Sequence, residues 1–331
     1  MAAEGKDAVT KGRRRSGNGT KPKATVSVVG AGRLGTALAL ALASRGYSIQ
    51  SVVARHMRGA RRASRLIASH PRALTVSQLA QLPASDVIFI TTPDDAIATT
   101  AGRVALSAQA GRRSRVALHT SGALSSDVLS RLRDVGFSVG SMHPLVSVSD
   151  PVTGAERLQG AFYCVEGEAA ARSAARALVR DLGGQSFSIN TRDKALYHAA
   201  AVMASGHMVA LFDIATEMLR RCGLGQRRAR AVLMPLLRSA LENLSANEPS
   251  RALTGTFARA DVATVRGHLE ALRKLSSPAA LAAYTLLGQR SLRLAEKSGA
   301  SATLLRQIGR ALEEAGQSGQ PMTRRVRRPA R

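Results

Sequence analysis

The sequence predicts a doubly wound α/β sheet followed by an all-helical region, with a basic tail at each end. Three observations predict it. From residue 24 short β-branched runs alternate with helix-forming stretches, the pattern of βαβ units. After residue 190 the strand signals stop and long helical patterns take over. Outside 24–315 no apolar period is present. A length of 331 residues suits two domains, and 45% apolar residues suffice for a sizeable core.

The elements follow in order. Thr25–Val29 is a short strand ended by Gly30, and Leu34 to Ala43 is rich in helix formers until Arg45-Gly46 stops it. Ser48–Ala54 is a second strand, Arg58–Ser69 a helix and Leu74–Val76 a short strand. Val87–Thr91 is apolar throughout, as in the middle of a parallel sheet. Arg115–His119 and Phe137–Met142 are further strands. Ala161–Val165, a helix over Ala169–Leu182, and Gln185–Ile189 form a last βαβ element. Helical patterns then cover roughly 192–222, 225–247, 261–275, 278–298 and 301–315, with Pro235 expected to kink the second. The expected organisation is thus a tail over 1–23, a sheet domain over 24–190, a helical domain over 191–315 and a tail over 316–331.

The net charge of +26 invites a nucleic-acid reading. Each tail holds an excess of +5, and neither has a period that would fold it. Basic tails bind polyanions non-specifically through counterion release. The chain offers few aromatic rings for base stacking and no nucleic-acid fold motif, so a specific nucleic-acid function is not the reading. Two cysteines, Cys164 and Cys222, exclude a disulfide scaffold and a multi-cysteine zinc site. The basic N-terminus lacks the apolar core of a secretory signal. Ala195–Ala215 is the most apolar long stretch, but His198, Ser205, Gly206, His207 and Asp213 suit a buried helix better than lipid. These readings place the protein in the cytoplasm, with no membrane partner.

Gly30-Ala31-Gly32-Arg33-Leu34-Gly35 matches G-x-G-x-x-G between the first strand and the first helix. Gly30 permits the tight turn, Gly32 lets a pyrophosphate approach the backbone, and Gly35 lets helix and strand pack closely. The helix N-terminus then offers unpaired N–H groups and a positive dipole end to phosphates. At the end of the second strand an NAD binder carries a carboxylate for the ribose hydroxyls. Here the chain reads Val53-Ala54-Arg55-His56. A guanidinium at Arg55 suits a 2′-phosphate, and Arg33 within the loop adds to it. The pattern therefore favours NADP over NAD. Arg58, Arg61 and Arg62 read equally well as a solvated helix face.

A series of short motifs carries a family resemblance. After the glycine loop come Ile90-Thr91-Thr92-Pro93-Asp94-Asp95, His119-Thr120-Ser121-Gly122-Ala123-Leu124 and Ser141-Met142-His143-Pro144-Leu145. Lys194-Ala195-Leu196-Tyr197-His198-Ala199-Ala200 and Leu253-Thr254-Gly255-Thr256-Phe257-Ala258-Arg259-Ala260-Asp261 complete it. Over about 24–300 the chain resembles bacterial oxidoreductases that join a Rossmann-like domain to a helical domain of unknown function, the one numbered 2520. That resemblance implies distant kinship with pyrroline-5-carboxylate reductase, ketopantoate reductase, prephenate dehydrogenase and 6-phosphogluconate dehydrogenase. It further implies a nicotinamide site between the two domains and a homodimer built through the helical one. Many relatives carry Gly where Ala260 stands and Asn where Gly206 stands.

A reductase of this kind holds a carbonyl or imine against the nicotinamide and supplies a proton. Thr92 and Pro93 end the fourth strand and are expected to neighbour the cofactor; the bland alternative is a strand-ending turn. His119 ends the next strand and is read either as a proton donor or as a hydrogen-bonded histidine under its loop. Ser121, just beyond, is a candidate for a substrate carboxylate. His143 before Pro144 is a substrate-binding candidate or a turn cap. Lys194 and His198, four residues apart, share one helix face. Relatives place Lys and Asn there, so His198 stands where the Asn is expected. Lys194 is read as a donor to a developing alkoxide or as surface charge, and His198 as a general acid or a buried structural histidine. Arg259 is a candidate partner for a substrate carboxylate, and Asp261 an N-cap. No metal site is expected. These residues together predict an NADP-dependent oxidoreductase acting on a small carboxylate-bearing keto acid or imine in the cleft between domains. The alternative is a non-catalytic dinucleotide-binding sensor or scaffold.

Overall fold

The computed structural model describes residues 22–107, 115–275 and 277–318. The remainder of both basic tails, with their expected disorder, lies outside the described residues. At the edges of those tails the description departs from the expectation. Lys23 ties its ammonium to Asp181 at 2.8 Å, and the last helix continues to Ser318.

The chain divides into two compact units, Met1–Ala201 and Val202–Arg331. The division falls beyond the expected change at 190/191, because the helix beginning at Lys194 is anchored to the sheet unit by its first side chain.

The first unit contains an eight-stranded sheet in the order β3-β2-β1-β4-β5-β6-β7-β8. The strands are β1 Thr25–Val29, β2 Ser48–Ala54, β3 Arg72–Thr75, β4 Val87–Ile90, β5 Arg115–His119, β6 Phe137–Pro144, β7 Phe162–Gly167 and β8 Gln185–Phe187. All neighbours pair in parallel except β6 and β7. The helices of this unit are α1 Arg33–Ser44, α2 Met57–Leu66, α3 Asp94–Ser107, α4 Ser130–Arg133, α5 Pro151–Leu158, α6 Ala169–Asp181 and α7 Lys194–Ala204. α7 extends just past the division.

Alternate strand residues feed two cores, one on each face of the sheet. Val28, Val52, Phe89 and Leu118 join Leu38 and Leu42 of α1 and Leu178 of α6 on one face. Val29, Val53, Ile88, Ile90 and Ala117 join Ile97 and Val104 of α3 and Leu132 of α4 on the other. Strands buried on both faces read as unbroken apolar runs, which is why β4 was legible. α5 follows an Asp150 side chain that caps it by accepting from the Val152 and Thr153 amides. It packs on α1, and the chain then returns as β7 antiparallel to β6.

The second unit is helical throughout its described residues: α8 Gly206–Arg221, α9 Gln226–Ala246, α10 Pro249–Ala252, α11 Gly255–Ala258, α12 Val262–Lys274, α13 Pro278–Lys297 and α14 Ala302–Ser318. Its core joins Val265 and Leu269 of α12, Leu281 and Ala295 of α13, and Ile308 and Leu312 of α14. Asp261 caps α12 by accepting from the Thr264 amide at 3.0 Å. Pro235 lies within α9.

One expectation is corrected here. The pattern over 192–222 is not a single buried helix. It breaks at Ser205, whose φ −122° and ψ −72° are not helical, and α8 restarts at Gly206. Only 6% of its most apolar window is buried, and Met203, Val209 and Leu211 are exposed. By length and composition alone Thr191–Arg221 would pass as a membrane span, and the helix breaks within it at Ser205.

Candidate active site

The sheet order reverses direction between β1 and β4, and the crevice at such a switch point is where ligands bind in open α/β sheets. A cavity of about 570 Å³ lies there. Gly30, Ala31 and Gly32 line it after β1, Val53 to His56 at and just beyond the end of β2, and Thr91 to Pro93 after β4. Of the expected cofactor residues, the structure thus brings Gly30, Gly32, Arg55, Thr92 and Pro93 to one cavity. Arg103 of α3 lines it too, and no sequence motif had pointed to that residue.

The three loop glycines have different reasons to be glycine. Gly30 has φ +115°, and a Cβ there would sit 2.7 Å from the backbone of Thr91 and Thr92. At Gly35 a Cβ would meet the Gly30 carbonyl and the Thr91 hydroxyl, both at 2.3 Å. Those two glycines are demanded by the fold. Gly32 is not: it has φ −80°, and the nearest atom to its Cβ position is 3.9 Å away. Its bare backbone leaves space in the cavity wall rather than relieving a clash within the chain.

The loop itself is held by the strand ends. The Gly30 and Ala31 amides both donate to Val53 O, and Thr91 Oγ1 donates to Gly30 O at 2.7 Å. α1 starts at Arg33, and among the described residues no side chain caps it and no acid occupies its first turn. Its N-terminus is therefore free to meet an anion. Leu34 packs on the core below, while Arg33 and Arg55 are exposed. Arg33 lines a second, smaller cavity on the α2 and α5 side of the loop. Thr92 Oγ1 is a buried oxygen with no hydrogen-bond partner among the described residues, and Thr92 is one of the residues that line the cavity. An unsatisfied buried hydroxyl costs free energy unless a ligand meets it. A dinucleotide fits this set: phosphates at the helix N-terminus and Gly32, a polar group at Thr92, and a 2′-phosphate at Arg55.

A polar cluster lies at the carboxyl ends of β5 to β7. Lys194 is 1% exposed, and its Nζ donates to Ser141 Oγ at 2.7 Å, with Ser121 O and Glu166 Oε1 each at 3.4 Å. Glu166, in β7, accepts from the Ser126 amide and hydroxyl at 2.8 and 2.9 Å. Burial lowers the Lys194 pKa, opposed by the Glu166 carboxylate. Lys194 is therefore not the surface charge of the sequence reading. Its ammonium is enclosed, and it ties α7 to three strand ends.

His119 follows the second of its two readings, the hydrogen-bonded histidine under its loop, and Ser121 departs from its reading. His119 is fully buried; Nδ1 accepts from the Ser121 amide at 3.1 Å and Nε2 donates to Ser125 O at 3.2 Å. Desolvation, with Lys194 nearby, drops its pKa to about 3, so the ring is neutral and both nitrogens are engaged. It has no free atom for a substrate. Ser121 Oγ donates to Asp94 at 2.8 Å and accepts from the Ala123 and Leu124 amides. That hydroxyl shapes the 121–124 turn and pins it to the first turn of α3, leaving none of its capacity for a carboxylate.

His143 and His198 remain, and the structure brings them together. Their rings stand edge to face with centroids 5.7 Å apart. Both press on Gly122, where a Cβ would lie 2.6 Å from His198 Cδ2 and 2.8 Å from His143 Cε1. His143 Nδ1 is 2.7 Å from the Tyr197 hydroxyl. Burial, with His198 and Lys194 nearby, lowers the His143 pKa to about 4. Sequence reasoning missed Glu166, Ser126, Ser141 and Tyr197. A lone acid in the apolar run Tyr163-Cys164-Val165-Glu166 was the available signal, since a carboxylate so placed needs a buried partner. Arg259 belongs to the second unit, where it follows α11 with an exposed side chain. Among the described residues no group of three metal-ligating side chains is assembled.

Comparison with known proteins agrees with this architecture. Residues 10–144 match the family described as a Rossmann-like domain, and residues 161–291 match the domain of unknown function DUF2520. The chain thus matches a Rossmann-like domain and a DUF2520 domain in that order. A solved structure of a candidate NADP oxidoreductase from Bacteroides fragilis is 21% identical with a TM-score of 0.67, covering 82% of this chain and 99% of that one. A Thermotoga maritima protein is also 21% identical, with a TM-score of 0.59 over 88% of this chain and 98% of that one. The 1-pyrroline-5-carboxylate reductase of Streptococcus pyogenes is 13% identical, with a TM-score of 0.53 over 89% and 98%. At these identities the likeness is one of fold. No curated protein matches the chain.

Proposed function

We propose that the protein is an NADP(H)-dependent oxidoreductase acting on a small, carboxylate-bearing keto acid or imine. The observation that carries this reading is the cavity at the switch point, where a free helix N-terminus, a glycine whose bareness the fold does not require, and an unpartnered buried hydroxyl converge with Arg55. The names of similar folds support it: a candidate NADP oxidoreductase, a pyrroline-5-carboxylate reductase, and a reductive aminase from Aspergillus terreus in complex with NADPH. Bound there, the nicotinamide supplies or accepts a hydride.

The chain's own residues divide the remaining work. Gly30, Gly32, Leu34 and Gly35 shape the phosphate cradle, Arg33 and Arg55 meet its charge, and Thr92 and Pro93 border the redox end. His198 is the proton donor of this reading. It stands on α7, whose place the buried Lys194 fixes, and its neighbour His143 is a neutral imidazole that orients substrate by hydrogen bonding. Arg259 is assigned to the substrate carboxylate. The helical region forms a homodimer, which would cover the apolar side chains exposed on it, Val209, Val232, Leu236 and Leu286 among them.

The test is NADPH consumption over a panel of 2-keto acids and cyclic imines. Turnover that His198→Ala abolishes, while NADPH still binds, supports the assignment. If NADPH binds but no substrate of either class is turned over, the sensor reading takes its place.

A further inference from the structure

Tyr197 lies on α7 between Lys194 and His198, and no role for it follows from the motifs. Its hydroxyl is 2.7 Å from His143 Nδ1, and its ring meets the edge of His143 at 5.6 Å and of Phe187 at 5.9 Å. The other side of the His143 ring is equally defined. A Cβ on Gly122 would lie 2.9 Å from Nε2, so that nitrogen is seated against the Gly122 backbone, beside His198. The imidazole therefore has a fixed orientation, Nδ1 toward Tyr197 and Nε2 toward the turn.

The proton then has a preferred place. A phenol is a stronger hydrogen-bond donor than a neutral imidazole, and the unprotonated ring nitrogen is a stronger acceptor than a phenol oxygen. The competing acceptor for Tyr197 is the Cys164 thiol, which is weak. Tyr197 O–H thus donates to Nδ1, and the single ring proton resides on Nε2. Burial, His198 and Lys194 keep the ring uncharged, so the choice between two neutral tautomers is the relevant one. Burial also raises the Tyr197 pKa, which keeps its proton on oxygen.

We propose that Tyr197 is a positioning residue whose hydroxyl holds His143 as the Nε2–H tautomer, presenting a neutral N–H donor at the Gly122 turn beside His198. The proposal rests on the reading that His143 and His198 border the reacting centre. In that setting the N–H would hydrogen-bond the oxygen or nitrogen of a substrate carbonyl or imine. No proton leaves His143 in this role; it polarises, and proton delivery stays with His198.

Nitrogen-15 NMR of the full chain at neutral pH reads the tautomer directly, with His143→Gln identifying the signal. The expected spectrum shows a protonated Nε2 and an unprotonated Nδ1 for His143. In Tyr197→Phe the tautomer shifts toward Nδ1–H or becomes a mixture, while the His119 signal stays unchanged. A wild-type His143 protonated at Nδ1 overturns the proposal even if the variant does not fold. So does a folded Tyr197→Phe protein with the wild-type tautomer. Neither outcome depends on nicotinamide binding, so failure of the oxidoreductase reading would show separately, as absent NADPH affinity.

Discussion

Replacing Lys194 with Met removes the one buried ammonium of the sheet unit's polar cluster while keeping most of its apolar stem. The methionine cannot replace the 2.7 Å bond to Ser141 or the approach to Glu166 at 3.4 Å. Glu166, whose side chain is 6% exposed, would keep only the two Ser126 donors for a full negative charge. Removing one partner of a buried pair costs about 3–5 kcal/mol, because the other charge stays desolvated. An exposed pair would cost about 0–1 kcal/mol, so the two environments are separable by measurement. The assay is urea unfolding of the full chain, followed by a probe in the sheet unit. The reasoning predicts a large loss in the midpoint and a partial recovery when Glu166→Gln is added, since the double variant no longer buries a lone charge. The expected coupling between the two sites is about 1–3 kcal/mol. A single variant within 1 kcal/mol of the parent, or a double variant no more stable than Lys194→Met alone, would refute the buried tie.

Other outcomes follow from the same geometry. Gly32→Ala should fold with nearly unchanged stability, since its Cβ meets nothing closer than 3.9 Å, yet bind NADPH at least about tenfold more weakly; Gly35→Ala, whose Cβ would meet two atoms at 2.3 Å, should lose about 1–3 kcal/mol or more in thermal unfolding. His119 and His143 are held at about 3 and about 4 against an ordinary 6.5, so the unfolded chain binds protons that the fold refuses. Stability is accordingly full above pH 6.5 and falls as pH drops toward 4 and 3, by about 1.4 kcal/mol per pH unit for each ring; a His119→Asn protein should show a shallower fall in its unfolding midpoint. Ala260 has φ +51°. Ala260→Gly should therefore raise the melting temperature through a gain of up to about 1 kcal/mol.

Much of the fold was legible because its signals are local. β1, the glycine loop and α1 form one uninterrupted pattern, and Arg55 sits where β2 delivers it to the cavity. The capping of α12 by Asp261 was readable for the same reason, whereas the positive φ of Ala260 was not read, although the resemblance implies Gly there. The candidate site was less legible. The spacing of Lys194 and His198 fixes a helix face but says nothing of depth, and depth decided that Lys194 is enclosed. His119 and Ser121 sit at strand ends, which suits a site, but their capacity is consumed by backbone groups of their own turn and, for Ser121, by the Asp94 side chain of α3. Those bonds are turn geometry, invisible to residue type. The antiparallel return of β7 depends on where α5 packs, and α5 itself was not read from the sequence. The exposed face of α8 read as core, because apolar composition says nothing of whether a helix face is covered within the chain.

On the proposed function, the switch-point cavity is an NADP(H) site read by Arg55. Its most direct test is fluorescence titration of the purified chain and of Arg55→Asp with NADPH and with NADH. The parent is expected to bind NADPH tightly and NADH weakly, and Arg55→Asp to lose most of this preference while still binding NADH. Equal NADPH affinity in parent and variant would contradict the assignment of Arg55. Absence of binding to either nucleotide by the parent would contradict the cofactor site itself, and the oxidoreductase reading with it.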